Sequence, residues 1–340
     1  MTRCANTIVT GFLGLLSLLG YSQQPTLPPP LHPADKPSIL FAVEDRTGEK
    51  DESGKPAQST LDPIAFLVDG QLGGCSTQGL PPTQQDAGEA LALQHLRKAY
   101  SGHKTYPVWF GGEPWGQAQA TASCIEDTTP GDSPIDWQGC FQLHPGPGKQ
   151  HLPKQTYAIA FTGPESRPTH EAVRVKASSA ERALFLEAAA SVYAQHHVRA
   201  TPISIHVDSV WKTQLQAGHS ALTGDTLVQF PLKESDKWSS IRVFLVLEES
   251  DGRYIPVLSQ MHRMTIYLEG DMQAPKTGEI LPEEGGSVDQ ESFLDNFPLY
   301  PNEPDSIMSY HQYYENWSYS IYRRRGTTYQ LVYTGCGGGD

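Results

Sequence analysis

The most apolar long stretch near the start of the 340-residue chain is Ile8–Leu19, which carries no charge. Coiled as a helix at about 1.5 Å per residue it would reach under ~20 Å, short of the roughly 30 Å hydrocarbon core. Arg3 precedes it, and Gly20 and Ser22 place small residues at the −3 and −1 positions of a cut before Gln23. This pattern predicts a cleavable signal peptide over residues 1–22, and so a secreted or periplasmic protein with no membrane span after cleavage. The stretch 23–60 reads as a linker. Pro28, Pro29 and Pro30 favour an extended path, Glu44–Lys55 is charged, and a short strand at Ser38–Val43 interrupts it.

Beyond the linker the apolar positions switch between periods of two and of three to four. Pro63–Val68 reads as a strand closed by an Asp69-Gly70 turn. In Ala87–Tyr100, Leu93, Leu96, Ala99 and Tyr100 share one helical face. Thr105–Phe110, Gln117–Cys124 and Tyr157–Phe161 read as strands, and the proline-rich stretch 128–153 as a loop. The clearest helix spans Ser179–His197. Ser178 and Glu181 have capping-box spacing, and Phe185, Ala189 and Val192 form its apolar face. Thr201-Pro202 ends the segment, and Ile203–Val210 alternates as a strand.

The C-terminal half then shows a repeated order of elements. Asp225–Phe230 precedes a strand from Trp238 to Leu247, an Asp251-Gly252 turn and Tyr254–Leu258. Asp305–Tyr310 precedes Trp317, Ser318–Arg323, a turn at Gly326 and Tyr329–Tyr333. Each copy is expected to be a three-stranded antiparallel unit that cannot bury its apolar face alone. The predicted fold class is therefore α+β and mostly antiparallel β. An N-terminal α/β module (61–165) is followed by a packing helix and two repeat-like units (about 203–268 and 291–336) within residues 166–340.

Both copies resemble degenerate FG-GAP/VCBS-type strand repeats, in which a calcium-loop-like acidic segment leads into a strand. The loops concerned are Leu222–Asp225 and the stretch from Leu294-Asp295-Asn296 to Glu303-Pro304-Asp305. The overall order also resembles that of secreted bacterial proteins of unknown function. The first copy keeps one acidic residue, so the resemblance carries no calcium site there. In the second, Asp295, Asn296, Glu303 and Asp305 supply the oxygens a hard cation needs and are the calcium candidates. No other cofactor is predicted.

Composition narrows the function classes. The formal charge is −13, and loss of Arg3 with the leader makes it one unit more negative. Such a surface repels phosphate backbones, which argues against nucleic-acid binding. Four cysteines remain after cleavage. Cys124 with Cys140 is the expected local disulfide and Cys75 with Cys336 the long-range one, with free thiols as the alternative. No C-x-x-C or H-x-x-x-H spacing nominates a zinc site. Gly218–Leu222 lacks the second glycine of a serine-hydrolase elbow, and P-loop and dinucleotide fingerprints are absent. The aromatic C-terminus offers a candidate binding surface at Tyr310, Tyr314, Tyr322 and Arg323, suited to a carbohydrate or a protein partner. The expected function is that of an exported non-catalytic binding or structural protein. The competing class is a secreted hydrolase of extracellular polymer whose catalytic carboxylates no motif identifies.

Overall fold

The computed structural model describes residues 31–50, 54–69, 71–73, 82–101, 103–110, 113–123, 139–152, 157–162, 175–200, 204–215, 218–232, 237–267, 290–299, 304–312 and 316–339. The predicted signal peptide and the three prolines of the linker lie outside them. Mostly antiparallel β-structure is what they form, with two helices. Strands β1 (Ser38–Glu44), β2 (Ser59–Val68) and β3 (Gln71–Gly73) precede helix α1 (Pro82–Tyr100). Strands β4 (Thr105–Phe110), β5 (Glu113–Ser123), β6 (Gly139–Pro145), β7 (Tyr157–Phe161) and β8 (Val175–Lys176) lead to helix α2 (Ser179–Gln195). The C-terminal half is β9 (Trp211–Leu215), β10 (His219–Pro231), β11 (Lys237–Ser250), β12 (Arg253–Tyr267), β13 (Gln290–Phe297), β14 (Ser306–Gln312), β15 (Asn316–Arg325) and β16 (Thr328–Gly339).

The first sheet runs β1-β7-β4-β5-β6-β2-β3, and pairing of β1 with β2 closes six of its strands into a barrel. Closure removes the open edges that an isolated sheet would expose. Side chains alternate across the barrel wall. Ile39, Phe41 and Val43 join α1 residues Leu96, Ala99 and Tyr100 in one core, whereas Leu40 and Ala42 face a second. The Tyr100 hydroxyl donates to the Leu61 carbonyl (3.1 Å) and the Tyr106 hydroxyl to that of Ala99 (2.7 Å), so both buried rings keep a polar partner.

Two open sheets follow, β12-β11-β10-β9-β8 and β13-β14-β15-β16. In β11, Ile241, Val243, Leu245 and Leu247 pack towards α2, while Phe244 and Val246 point to the four-stranded sheet. In β14 and β15, Met308, Tyr319 and Ile321 face the barrel, while Ile307 and Tyr322 face the five-stranded sheet. The four-stranded sheet is therefore the middle layer, with the barrel on one side and the five-stranded sheet, backed by α2, on the other. The capping box holds α2 as the sequence predicts: the Ser178 side chain accepts from the Glu181 amide and Glu181 accepts from the Ser178 amide. Asp251 (φ 52°) and Gly252 (φ 75°) both take positive φ, the geometry of a type I′ hairpin turn.

Several elements differ from the sequence reading. Strand β1 is the short strand predicted at Ser38–Val43, but it is no interruption of a linker: it is almost wholly buried because it closes the barrel. Strand β6 runs through the predicted 128–153 loop, with Pro145 placed at its end, where the missing N–H costs no interior ladder bond. Residues 204–210 are irregular apart from one bridge, His206 to Leu227, and the strand there is β9. Asp295 and Asn296 belong to a bulged strand, β13, rather than to a loop. The two predicted C-terminal units are not separate three-stranded units: β10–β12 and β14–β16 are antiparallel runs inside sheets of five and four strands. Asp225, moreover, lies within β10 while Asp305 precedes β14, so the matching residues have different surroundings.

Gly116 marks a close approach within the barrel. A Cβ there would lie 2.3 Å from the His144 carbonyl oxygen, a backbone atom that no rotamer change can move. Gly116→Ala is expected to part β5 from β6 and to destabilise the protein by about 1–3 kcal/mol, read as a lowered urea midpoint at unchanged m-value.

Candidate functional site

Period-two alternation sets an unusual set of polar groups on the inner faces of the two open sheets. From the five-stranded sheet come Asp225 on β10, Arg242 on β11 and His262 on β12. From the four-stranded sheet come Glu291 on β13, Ser309 and His311 on β14, and Tyr322 on β15. Arg242 is directly opposite His262 across β11 and β12, and Glu291 is directly opposite His311 across β13 and β14.

These groups meet between the sheets. His262 Nε2 lies 2.8 Å from Glu291 Oε2, and the His262 and His311 ring centroids are 4.1 Å apart. The Tyr322 hydroxyl donates to Glu291 Oε1 at 2.5 Å, and the Ser309 hydroxyl donates to the same oxygen. Arg242 Nη1 donates to Asp225 Oδ2 at 2.8 Å. The Glu291 side chain is 0% exposed and that of His262 13%. Ligand atoms of His262, Glu291 and His311 all lie within 4.8 Å of one another, so among the described residues these three are placed to hold a metal ion. A crevice of about 80 Å³ reaches Asp225 and Glu291 from the surface near Asp208 and Trp211.

Two further polar ties flank this cluster. Arg324 on β15 grips Glu248 on β11 with both terminal nitrogens (2.9 and 2.7 Å), and His219 Nδ1 stands 3.0 Å from the same carboxylate. Burial raises the Glu248 pKa, but the Arg324 contacts outweigh it and hold the group below the usual range. On the barrel side the Tyr319 hydroxyl donates to Asp62 at 3.0 Å, beside the stacked rings of Tyr157 and Tyr310.

Of the predicted site residues that the structure describes, Tyr322 belongs to this cluster and the others lie outside it. Tyr322 is not a surface residue: it is 1% exposed, because its register in β15 turns it into the sheet interface. Tyr310 is half-buried against Tyr157 and Tyr319, Arg323 is half-buried, and Tyr314 lies outside the described residues. Among the calcium candidates, Asp295, Asn296 and Asp305 do come together. The Asn296 amide nitrogen donates to Asp305 Oδ2 at 2.9 Å, and the Asn296 backbone N–H to Asp295 Oδ1 at 2.8 Å. Glu303 is outside the described residues. So are Cys75, Cys124 and the side chain of Cys336, and no disulfide pair is found among the described residues. Sequence reasoning missed the His262–Glu291–His311 cluster altogether. Its members are 29 and 20 residues apart, and only the pairing of β13 with β14 and the stacking of two sheets brings them together.

Comparison with protein-family models, curated proteins and solved structures finds no match for this chain.

Burial pushes the Asp225 carboxyl up to about 7, against the lowering pull of Arg242. The folded protein thus holds a proton here between about pH 4 and 7 that the unfolded chain has released. For this group stability falls as pH rises through that window, by as much as about 1.4 kcal/mol per pH unit. Asp225→Asn is expected to lose that decline, because the amide has no proton to release as pH rises. Chemical denaturation at half-unit steps from pH 4 to 7.5 measures the slope.

Proposed function

We propose that the mature chain is an exported, non-catalytic protein with a binding or structural role, secreted or periplasmic. One observation carries the non-catalytic reading. The densest group of titratable side chains among the described residues lies in the joint between two sheets, where its members neutralise and hydrogen-bond one another. The crevice of about 80 Å³ that reaches it has room for water or a small ion, not for a polymer segment. The partner classes remain carbohydrate and protein. With Tyr322 inside, the basic turn supports the surface reading: Arg323, Arg324 and Arg325 line a pocket of about 280 Å³ with Pro304 and Gly326, on a chain of net negative charge. A derivation of the two meanders from one FG-GAP/VCBS-like unit is supported by their shared strand order and by the similar Asp-to-Trp spacing.

A second reading, a hydrolase, has one observation in its favour. Asp225 and Glu291 line the same crevice, and Asp225 is raised to about 7, where a carboxylic acid can act as a proton donor. The two readings part on a panel of polysaccharide and peptide substrates. No turnover by the wild-type chain is expected. Turnover that disappears in a folded Glu291→Gln variant establishes the hydrolase instead.

The proposed Cys124–Cys140 bridge is supported by register, since Cys140 pairs with Ala122, two residues before Cys124 on the same chain segment. Peptide mapping of the exported protein without reductant is expected to recover a cross-linked peptide containing both cysteines and a mature N-terminus at Gln23. Recovery of Cys140 as a free thiol overturns the bridge, and an N-terminus at Met1 overturns the leader.

A further inference from the structure

We propose that His262, Glu291 and His311 form a binding site for a divalent transition-metal ion of the zinc class, joining the five-stranded sheet to the four-stranded one. This goes beyond the reading above, which requires no metal.

The donor set comes first. Two imidazole nitrogens and one carboxylate oxygen suit zinc and its neighbours, whereas calcium and magnesium seek six or more oxygens. The ligand atoms already lie within 4.8 Å of one another. Around one tetrahedral ion at about 2.1 Å they would stand about 3.4 Å apart, a closure within reach of small side-chain rotations. The ion would take the place of the present contact between His262 Nε2 and Glu291 Oε2.

The supporting shell is also present. Ser309 and Tyr322 both donate to Glu291 Oε1, which fixes the carboxylate plane and leaves Oε2 turned to His262. Outer hydrogen bonds of this kind orient a metal-ligating carboxylate.

A dication at this point would sit against the fully buried Glu291 carboxylate, with the two imidazoles completing the donor set. Of the three ligands, Glu291 is the one that lines the crevice shared with Asp208, Trp211 and Asp225.

The test uses the full mature chain, stripped with chelator and dialysed. Native mass spectrometry with added Zn²⁺ is expected to show one ion retained per chain. Co²⁺ as a spectroscopic probe is expected to give the visible bands of a low-coordinate site, displaced by Zn²⁺ and not by Ca²⁺. His262→Gln and His311→Gln are each expected to abolish the bands. Tyr322→Phe, which removes only an outer donor, should weaken Zn²⁺ binding by about 10–100-fold. Where a glutamine variant fails to fold, the Co²⁺ spectrum of the unaltered chain still decides. Absence of stoichiometric Zn²⁺ and Co²⁺ binding overturns the site, as does binding that survives unchanged in folded His262→Gln and His311→Gln proteins.

Discussion

A sheet covered on both faces has no solvent side on which polar residues can be placed at no cost. The β13–β16 sheet is in that position, and most of the architecture follows from it. Its even and odd residues meet different neighbours: Met308, Tyr319 and Ile321 reach the barrel, while Ile307, Ser309, His311 and Tyr322 reach the five-stranded sheet. A slip of one residue in register would exchange the two sets, pressing His311 and Tyr322 against Leu40 and Phe161 and turning Met308 towards Glu291. The pairing of this sheet is therefore strongly specified by what lies above and below it.

The polar ties between layers fit that role. Breaking one side of a part-buried pair such as Arg324–Glu248 strands the other charge and destabilises, yet a well-packed apolar replacement of both sides is often neutral or better. Such pairs favour one arrangement of the layers over the alternatives more than they add net stability. Three of them act across interfaces: Glu248 with Arg324, Glu291 with His262, and Asp62 with Tyr319. The apolar contacts around them, among Phe244, Val246, Phe293 and Leu331, supply the area that holds the sheets together.

Local signals in the chain were legible where they were strong. The S-x-x-E cap of α2, the Asp251-Gly252 turn and the long alternating run of β11 are each decided by neighbouring residues, so they can be read from neighbouring letters. Strand β6 was hidden because proline-rich flanks dominate its window. β1 was legible as a short strand, but not as part of the barrel, because its burial depends on β7, more than a hundred residues later. The site was not legible for the same reason. Histidine at 262, glutamate at 291 and histidine at 311 have no spacing that a motif could capture, and their meeting is a property of sheet stacking. Tyr322 illustrates the converse error: its aromatic, strand-borne character suggested a surface, but which face is outward depends on a partner sheet that local alternation does not reveal.

The middle position of the four-stranded sheet also orders events in time. The barrel and the α2-backed sheet are both complete by Tyr267, before any residue of β13–β16 has been made. Until that last segment arrives, Leu40, Ile64 and Phe161 on one unit and Phe244 and Val246 on the other lack the layer that covers them. Two sticky faces separated by one missing layer invite premature docking on each other or on other chains. The final fifty residues thus work as a wedge whose arrival converts two half-finished surfaces into one interior. Any delay in their synthesis would lengthen the interval during which the earlier parts need protection.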